Sequence, residues 1–144
     1  MLEDSFKYTD ETFDDIQMLR YNLKGFEDLT LKQKKYIYCL SQATLYGRDI
    51  TFDQFGKYNL KIRKALEAIY LSRLGDTSED FKALRTYLNK VWFSNGIYHH
   101  YNSDKFVPRF SEEYFVNALN EIDLSLLDLD VKECADDFVK TITK

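Results

Sequence analysis

Residues 59–95, NLKIRKALEAIYLSRLGDTSEDFKALRTYLNKVWFSN, decide the fold of this chain. They contain two amphipathic repeats of helical spacing, separated at Gly75. Asn59 begins the first repeat, and Thr77 or Ser78 caps the second, which ends near Asn95-Gly96. The predicted inner faces are apolar: Ile62, Ala65, Leu66, Ile69 and Tyr70 in the first helix, and Phe81, Leu84, Leu88, Val91 and Trp92 in the second. We expect these helices to form the core, with four side chains buried: Leu66, Ile69, Leu88 and Trp92.

The residues just before this core predict a helix and then a loop. Thr30 and Gln33 form a capping box, and apolar side chains recur at helical spacing from there to Gly47. The segment 48–58 breaks that spacing, so it is predicted to be a loop pinned by its apolar side chains Ile50, Phe52 and Phe55.

The N-terminal residues predict a shorter helix followed by extended chain. Thr9 or Asp10 can cap the helix, because acidic residues follow that suit the positive end of a helix: Glu11, Asp14 and Asp15. Apolar and polar residues then alternate through Leu19, Tyr21 and Leu23, which predicts extended chain as far as Gly25.

On the C-terminal side, an irregular segment separates the core from two more helices. Residues 96–110 hold both histidines and the single proline. Ser111 caps a helix with the inner face Phe115, Ala118, Leu119 and Ile122. Asp130 caps a last helix that carries Val131, Cys134, Ala135, Phe138 and Ile142. The prediction is one all-α domain over residues 1–144, with about six helices in an irregular array joined by aromatic-rich loops.

Charge and composition exclude several classes of partner. The net charge is -4 and no basic run is long enough to follow a phosphate backbone, so nucleic-acid binding is not expected. No apolar run reaches membrane-spanning length, and the start lacks the pattern of a signal peptide. Cys39 and Cys134 lie within apolar helical patterns, which predicts two buried free thiols and a cytoplasmic protein.

The familiar signatures of catalysis do not occur in this sequence. His99 and His100 are neighbours whose side chains should diverge, so we do not expect them to share one metal ion. No HExxH, GxSxG, P-loop or GxGxxG pattern is present. The pairs Asp14-Asp15 and Asp136-Asp137 are interpreted as solvated helix caps. No catalytic or metal-binding residue is therefore predicted in the chain.

The segment Val91–Phe110 has an unusual composition for a connector. Its run WFSNGIYHHYNSDKFVPRF combines aromatic rings, amides, histidines and a proline. Two interpretations stay open, a loop packed on itself and the wall of a cleft or lobe interface. The candidate residues for such a wall are Asn95, Gly96, Tyr98, His99, His100, Tyr101, Lys105 and Phe106.

The same segment resembles the N-terminal region of dipeptidyl peptidase III, especially its bacterial members. The resemblance rests on WFSNGIYHHY and SDKFVP, and upstream on LRYNLKGFEDLTLKQKKYIYCLSQATLYGRDI and FDQFGKYNLKIRKALEAIY. It spans approximately residues 13–138. The residues shared with the family in the later stretch are Asn95, Gly96, Tyr98, Lys105, Phe106 and Pro108, which we interpret as architectural.

The resemblance implies a two-lobed zinc metallopeptidase that removes dipeptides from the N-terminus of short peptides. In such enzymes one lobe holds zinc through a HExxGH helix and a downstream glutamate, and the N-terminal helices belong to the other lobe. HExxGH does not occur in residues 1–144. The chain is thus expected to be an inactive N-terminal part of a longer enzyme, with zinc bound elsewhere in the parent.

Partners follow from the same expectation. The rest of the same polypeptide would cover these helices, and peptides would be the substrates of the parent. Alone, the chain is expected to form a two-fold dimer through apolar side chains outside the helical stripes: Tyr98, Tyr101, Phe106, Leu124, Leu126 and Leu127. The leading alternative is a stand-alone helical protein-protein interaction module, and a metal enzyme that uses His99 is a third.

Overall fold

A computed structural model describes residues 6–123 and 139–143. The described chain is mainly helical, with one small sheet. Its elements are β1 Thr9–Phe13, β2 Ile16–Leu19, α1 Leu31–Tyr46, α2 Arg48–Phe55, α3 Asn59–Ser72, α4 Glu79–Ser94, α5 Glu112–Glu121 and α6 Val139–Thr143. The chain divides into two compact units, Met1–Arg48 and Asp49–Lys144. No described helix has both the length and the apolar character needed to cross a membrane.

The first unit begins with a β-hairpin, so the short helix predicted from Thr9 or Asp10 is wrong. β1 and β2 pair antiparallel, with Phe13 opposite Ile16. Asp14 takes a left-handed φ of 51° in the turn between them. Aspartate tolerates that conformation, so Asp14 and Asp15, expected in a helix, form the turn instead, and Glu11 lies in β1. The extended chain predicted to run toward Gly25 is a strand only as far as Leu19.

Helix α1 has the predicted start but none of its residues is buried. The Thr30 hydroxyl accepts the Gln33 N–H at 3.4 Å, and the Gln33 side chain accepts the Thr30 N–H at 2.9 Å. This confirms the capping box, and Gly47 is the C-cap as expected. Cys39, predicted to be buried, is exposed. The reason is that the apolar side chains of α1 do not pack into a core of this unit.

Helix α2 replaces the loop predicted for residues 48–58. Its one buried side chain is Phe52, over which the Arg63 guanidinium lies 4.7 Å from the ring centroid. Asp49 occupies the first turn and pairs with Arg63 at 2.8 Å. A helix of two turns that buries a single side chain leaves no repeated apolar spacing, which explains why its sequence suggested a loop.

Helices α3 and α4 form the core of the second unit, as predicted. Leu66, Ile69 and Leu88 are fully buried. Trp92 is not, since it is 41% exposed, and this part of the prediction is wrong. Its indole N–H donates to Glu67 at 2.7 Å, which holds the ring at the boundary of the core with its polar end outward.

Helix α5 is fixed to the start of α4. Ser111 caps α5 as predicted, accepting the Tyr114 N–H at 3.2 Å. The Asp80 carboxylate accepts both the Ser111 N–H, at 2.6 Å, and its hydroxyl, at 3.2 Å. The inner residues Phe115, Ala118 and Leu119 are buried, and Ile122 is half-buried.

The last predicted helix is only partly described. Val139 and Ile142 of α6 are buried. The predicted cap Asp130 and the other residues predicted near this helix lie outside the described residues: Leu124, Leu126, Leu127, Val131, Cys134, Ala135, Asp136, Asp137 and Phe138.

Candidate functional site

The candidate segment, residues 91–110, starts in the last turn of α4 and leaves the helix at Asn95. Asn95 takes the left-handed conformation, with φ of 56°, and its N–H donates to the Val91 carbonyl. The Gly96 N–H donates to the same carbonyl at 3.1 Å. This termination turns the chain sharply away from the helix axis, so the direction of the segment is set by the C-cap of α4.

Asn59, the first residue of α3, holds the segment in place. Its side-chain carbonyl accepts the Ile97 N–H at 3.2 Å, and the residue is buried. Two glycines make room for its amide. A Cβ at Gly56 would lie 2.8 Å from Nδ2, and a Cβ at Gly96 would lie 2.3 Å from it. Sequence reasoning missed this role because Asn59 and Ile97 are 38 positions apart and no local pattern links them.

The segment forms a short antiparallel loop. The Phe106 N–H donates to the Ile97 carbonyl at 2.8 Å, and the His99 N–H donates to the Asp104 carbonyl at 2.8 Å. Tyr98 and Lys105 form the bridge between these two bonds. The sequence of this stretch shows neither helical nor strand spacing of apolar residues, and the stretch is ordered by its own backbone hydrogen bonds.

The eight candidate residues differ in exposure. Gly96 and Phe106 are buried, Tyr101 is exposed, and the other five, Asn95, Tyr98, His99, His100 and Lys105, are half-buried. The ammonium of Lys105 donates to the Thr141 carbonyl of α6 at 3.0 Å. The ammonium of Lys90 lies 5.3 Å from the Phe106 ring centroid. Phe106, which the predicted dimer used as a contact, is thus an internal side chain and does not supply an exposed surface.

The two histidines stack instead of diverging. Their ring centroids are 4.6 Å apart and the planes differ by 23°. They lie in a turn, where the directional rules for helices and strands do not hold. His99 Nδ1 accepts the Tyr101 N–H at 3.3 Å, and His100 Nδ1 lies 3.5 Å from the Ser94 hydroxyl. Among residues 6–123 and 139–143, no three side chains of His, Cys, Asp or Glu come together as metal ligands.

A small cleft lies beside the segment. Its volume is about 230 Å³, and its lining is Phe55, Tyr98, Asn102 and Ser103. A phenol, an amide and a hydroxyl are neutral hydrogen-bonding groups, so the lining suits a neutral polar group. Among the described residues, the lining offers no carboxylate, thiol or imidazole for acid–base or nucleophilic chemistry. The volume is below the roughly 300 Å³ of ordinary small-molecule sites.

The buried phenol of Tyr87 lies under the same region. Burial raises the pKa of Tyr87 above its usual value, and nearby Tyr98 adds to the rise. Its ring makes an edge contact with Phe110, with centroids 5.6 Å apart. The hydroxyl finds no hydrogen-bond partner among the described residues. A phenol that stays protonated in this way packs the core and does not serve as a base.

A second polar cluster joins α3, α4 and α5. The Tyr114 hydroxyl donates to Asp76 at 3.2 Å, and the Arg73 guanidinium lies 4.8 Å from the Tyr114 ring centroid while pairing with Glu121 at 2.6 Å. Asp76 also accepts the Ser78 N–H at 2.7 Å. These bonds from Ser78 hold the pKa of Asp76 below its usual value. Each group satisfies a neighbour at a helix end, which is a structural role.

The site therefore holds ordered aromatic and amide groups in a scaffold anchored by α3. Compared with known proteins, the chain matches neither a protein-family model nor a curated protein.

Proposed function

We propose that this chain is the N-terminal structural part of a zinc-dependent dipeptidyl peptidase that releases dipeptides from the N-terminus of short peptides. The chain alone is inactive. The proposal rests on the resemblance of the early helices and of residues 92–108 to dipeptidyl peptidase III. The segment forms part of the lobe that does not bind zinc.

The observation that carries the proposal is the role of the shared residues in the segment. Asn95 ends α4 in the left-handed conformation, Gly96 leaves room for the Asn59 amide, and Phe106 is buried. Tyr98 and Lys105 form the bridge of the loop. Residues that the chain shares with the family are thus the ones that shape the loop. This supports inheritance of an architecture over a chance similarity of composition.

Helix α1 gives independent support for a larger protein. It has apolar side chains on two opposite faces, Tyr36 and Leu40 on one and Leu31, Tyr38 and Leu45 on the other, and none of its residues is buried. Contiguous apolar side chains on an exposed helix face mark a surface that another part of the protein or a partner normally covers. We infer that further polypeptide covers the face of Tyr36 and Leu40.

The proposal places catalysis outside residues 1–144. Zinc bound by HExxGH and a downstream glutamate would polarise the scissile carbonyl and activate a water molecule. The donor set described here does not fit a catalytic zinc, because that ion takes three protein ligands and the stacked histidines have no third ligand beside them among the described residues. The present chain contributes the scaffold of the cleft.

A second candidate is a stand-alone interaction module. The exposed apolar side chains of α1 favour it, since Tyr38 and Tyr46 are available to a partner protein. The two candidates make opposite predictions about the gene.

The test is the reading frame beyond Lys144 together with the metal content of its natural product. The peptidase proposal requires a continuation that encodes HExxGH and a later glutamate, and one zinc ion per purified molecule. Replacing either motif histidine with alanine should remove the zinc. A stop codon directly after Lys144 would overturn the proposal in favour of the module.

A further inference from the structure

One face of α1 carries a straight apolar stripe. Leu31, Tyr38 and Leu45 follow one another at intervals of seven residues, which is about two turns of an α-helix. They are 68%, 63% and 50% exposed. Tyr46, 90% exposed, lies beside the end of the stripe. Residues seven apart lie on one face of an α-helix, so these three side chains can contact one partner helix together.

The area of the stripe matches the need of a small homodimer. With about 200 Å² for each fully exposed large side chain, the four residues present about 500 Å². Two copies would then bury about 1,000 Å², which is the lower bound for a specific interface. The stripe reaches that bound only together with Tyr46 and with all four side chains fully covered, so the expected dimer is weak.

Charges beside the stripe decide the direction of pairing. Lys34 and Lys35 flank its first half, and the neutral Ser41 and Gln42 flank its second half. A parallel pair would place the lysines of both copies side by side. An antiparallel pair places them against the neutral half of the partner, where repulsion is absent.

The helix dipole favours the same direction. The first turn of α1 has no acidic residue and its last turn has no basic residue, so neither end is compensated within the helix. Antiparallel pairing brings the lysines of one copy toward the negative C-terminal end of the other.

We propose that this chain self-associates through α1, which pairs antiparallel with α1 of a second copy about a two-fold axis at Tyr38. The dimer predicted from the sequence is thereby assigned to α1 instead of the loop around Tyr98. The proposal uses the face opposite Tyr36 and Leu40, so it does not depend on the peptidase assignment.

The first experiment is sedimentation velocity over a concentration series. Wild-type chain should show a monomer–dimer equilibrium, and Tyr38→Glu should raise the dissociation constant at least about 100-fold, because a charge would lie on the axis. Tyr36→Glu is a matched control, since Tyr36 is 66% exposed and points about 200° away on the same helix. It should leave the dimer intact.

Three results would overturn the interface: a wild-type monomer at every concentration, an unchanged dimer in Tyr38→Glu, or equal loss in both variants. Circular dichroism checks that α1 remains helical. Leu45→Lys disrupts the same stripe at its end, so the result does not depend on the folding of one variant.

Gln42→Glu tests the direction of pairing with almost no change in shape. In an antiparallel pair the new carboxylates face Lys35 of the partner, so the dimer should tighten about threefold. In a parallel pair the new carboxylate lies opposite the neutral Ser41 of the partner, so the dimer gains no ion pair and does not tighten. An unchanged or weaker dimer would therefore refute the antiparallel arrangement and its contact with Lys35.

Discussion

Replacing Gly96 with alanine tests how the candidate segment is held. An added Cβ would lie 2.3 Å from Asn59 Nδ2 and 2.7 Å from Cγ, closer than such atoms approach. The Asn59 side chain cannot move away without giving up the Ile97 N–H. Overpacking of this kind costs about 1–3 kcal/mol of unfolding free energy. Asn59→Ala should cost a similar amount, about 1–3 kcal/mol, because it leaves the buried Ile97 N–H without its acceptor.

The double variant isolates the contact between the two residues. Once Asn59 is alanine, the added Cβ at position 96 no longer contacts the side-chain amide. The double variant should therefore lose about 1–2 kcal/mol less unfolding free energy than the sum of the two single losses. Gly75→Ala is the control. Gly75 has φ of 100° and nothing within 4 Å of an added Cβ, so its cost is backbone strain alone. That cost should add to Asn59→Ala without coupling.

Urea unfolding followed by Trp92 fluorescence provides the measurement, because this is the single tryptophan of the chain and lies in α4. If the losses of unfolding free energy in Gly96→Ala and Asn59→Ala were strictly additive, the proposed contact between Gly96 and the Asn59 amide would be refuted. A wild-type midpoint for Gly96→Ala would refute it as well.

Three further predictions concern the core, acid stability and metal binding. Leu66→Ala should destabilise the chain by about 2–5 kcal/mol and Trp92→Ala by less, because Trp92 is partly exposed; equal losses in urea unfolding would contradict the assigned helix faces. The lowered pKa of Asp76 gives stability that is present above the pKa of the unfolded carboxyl and is lost as pH falls, so the Tm difference between wild type and Asp76→Asn should shrink from about pH 6 to about pH 3; a constant difference would contradict this. Residues 1–144 should bind zinc no more tightly than micromolar and release no dipeptides; stoichiometric zinc after dialysis, or activity abolished by His99→Ala, would contradict it.

The sequence predicted the elements whose signals are local. The Thr30–Gln33 capping box, the cap of α4 at Thr77 or Ser78, the cap of α5 at Ser111 and the end of α4 near Asn95-Gly96 each depend on hydrogen bonds within a few residues. Such local bonds allow α1, α4 and α5 to be assigned from the sequence. Helix α3 is assigned from its apolar spacing, because its N-cap Tyr58 makes no side-chain capping bond.

The elements that the sequence failed to predict depend on distant contacts. Helix α2 is held by Phe52 and by the pairing of Asp49 with Arg63 of α3, which also explains why Arg63 is buried although its type suggests exposure. The hairpin at Asp14 uses acidic residues, which are also favoured at helix starts.

The candidate segment shows the same division. Its composition identified it as unusual. The hydrogen bond from the Ile97 N–H to the Asn59 side chain and the stacking of the two histidines arise from tertiary structure. Sequence spacing contains no information about either contact.

The most direct test of the central claim is dipeptide release by the natural full-length product of the gene. Mass spectrometry of a short peptide incubated with that protein should show successive dipeptides from the free N-terminus. The activity should disappear with a chelator, return with zinc, and be absent for the N-acetylated peptide and for residues 1–144 alone. A full-length product that contains zinc and releases no dipeptides, or that cleaves the acetylated peptide equally well, would contradict the account.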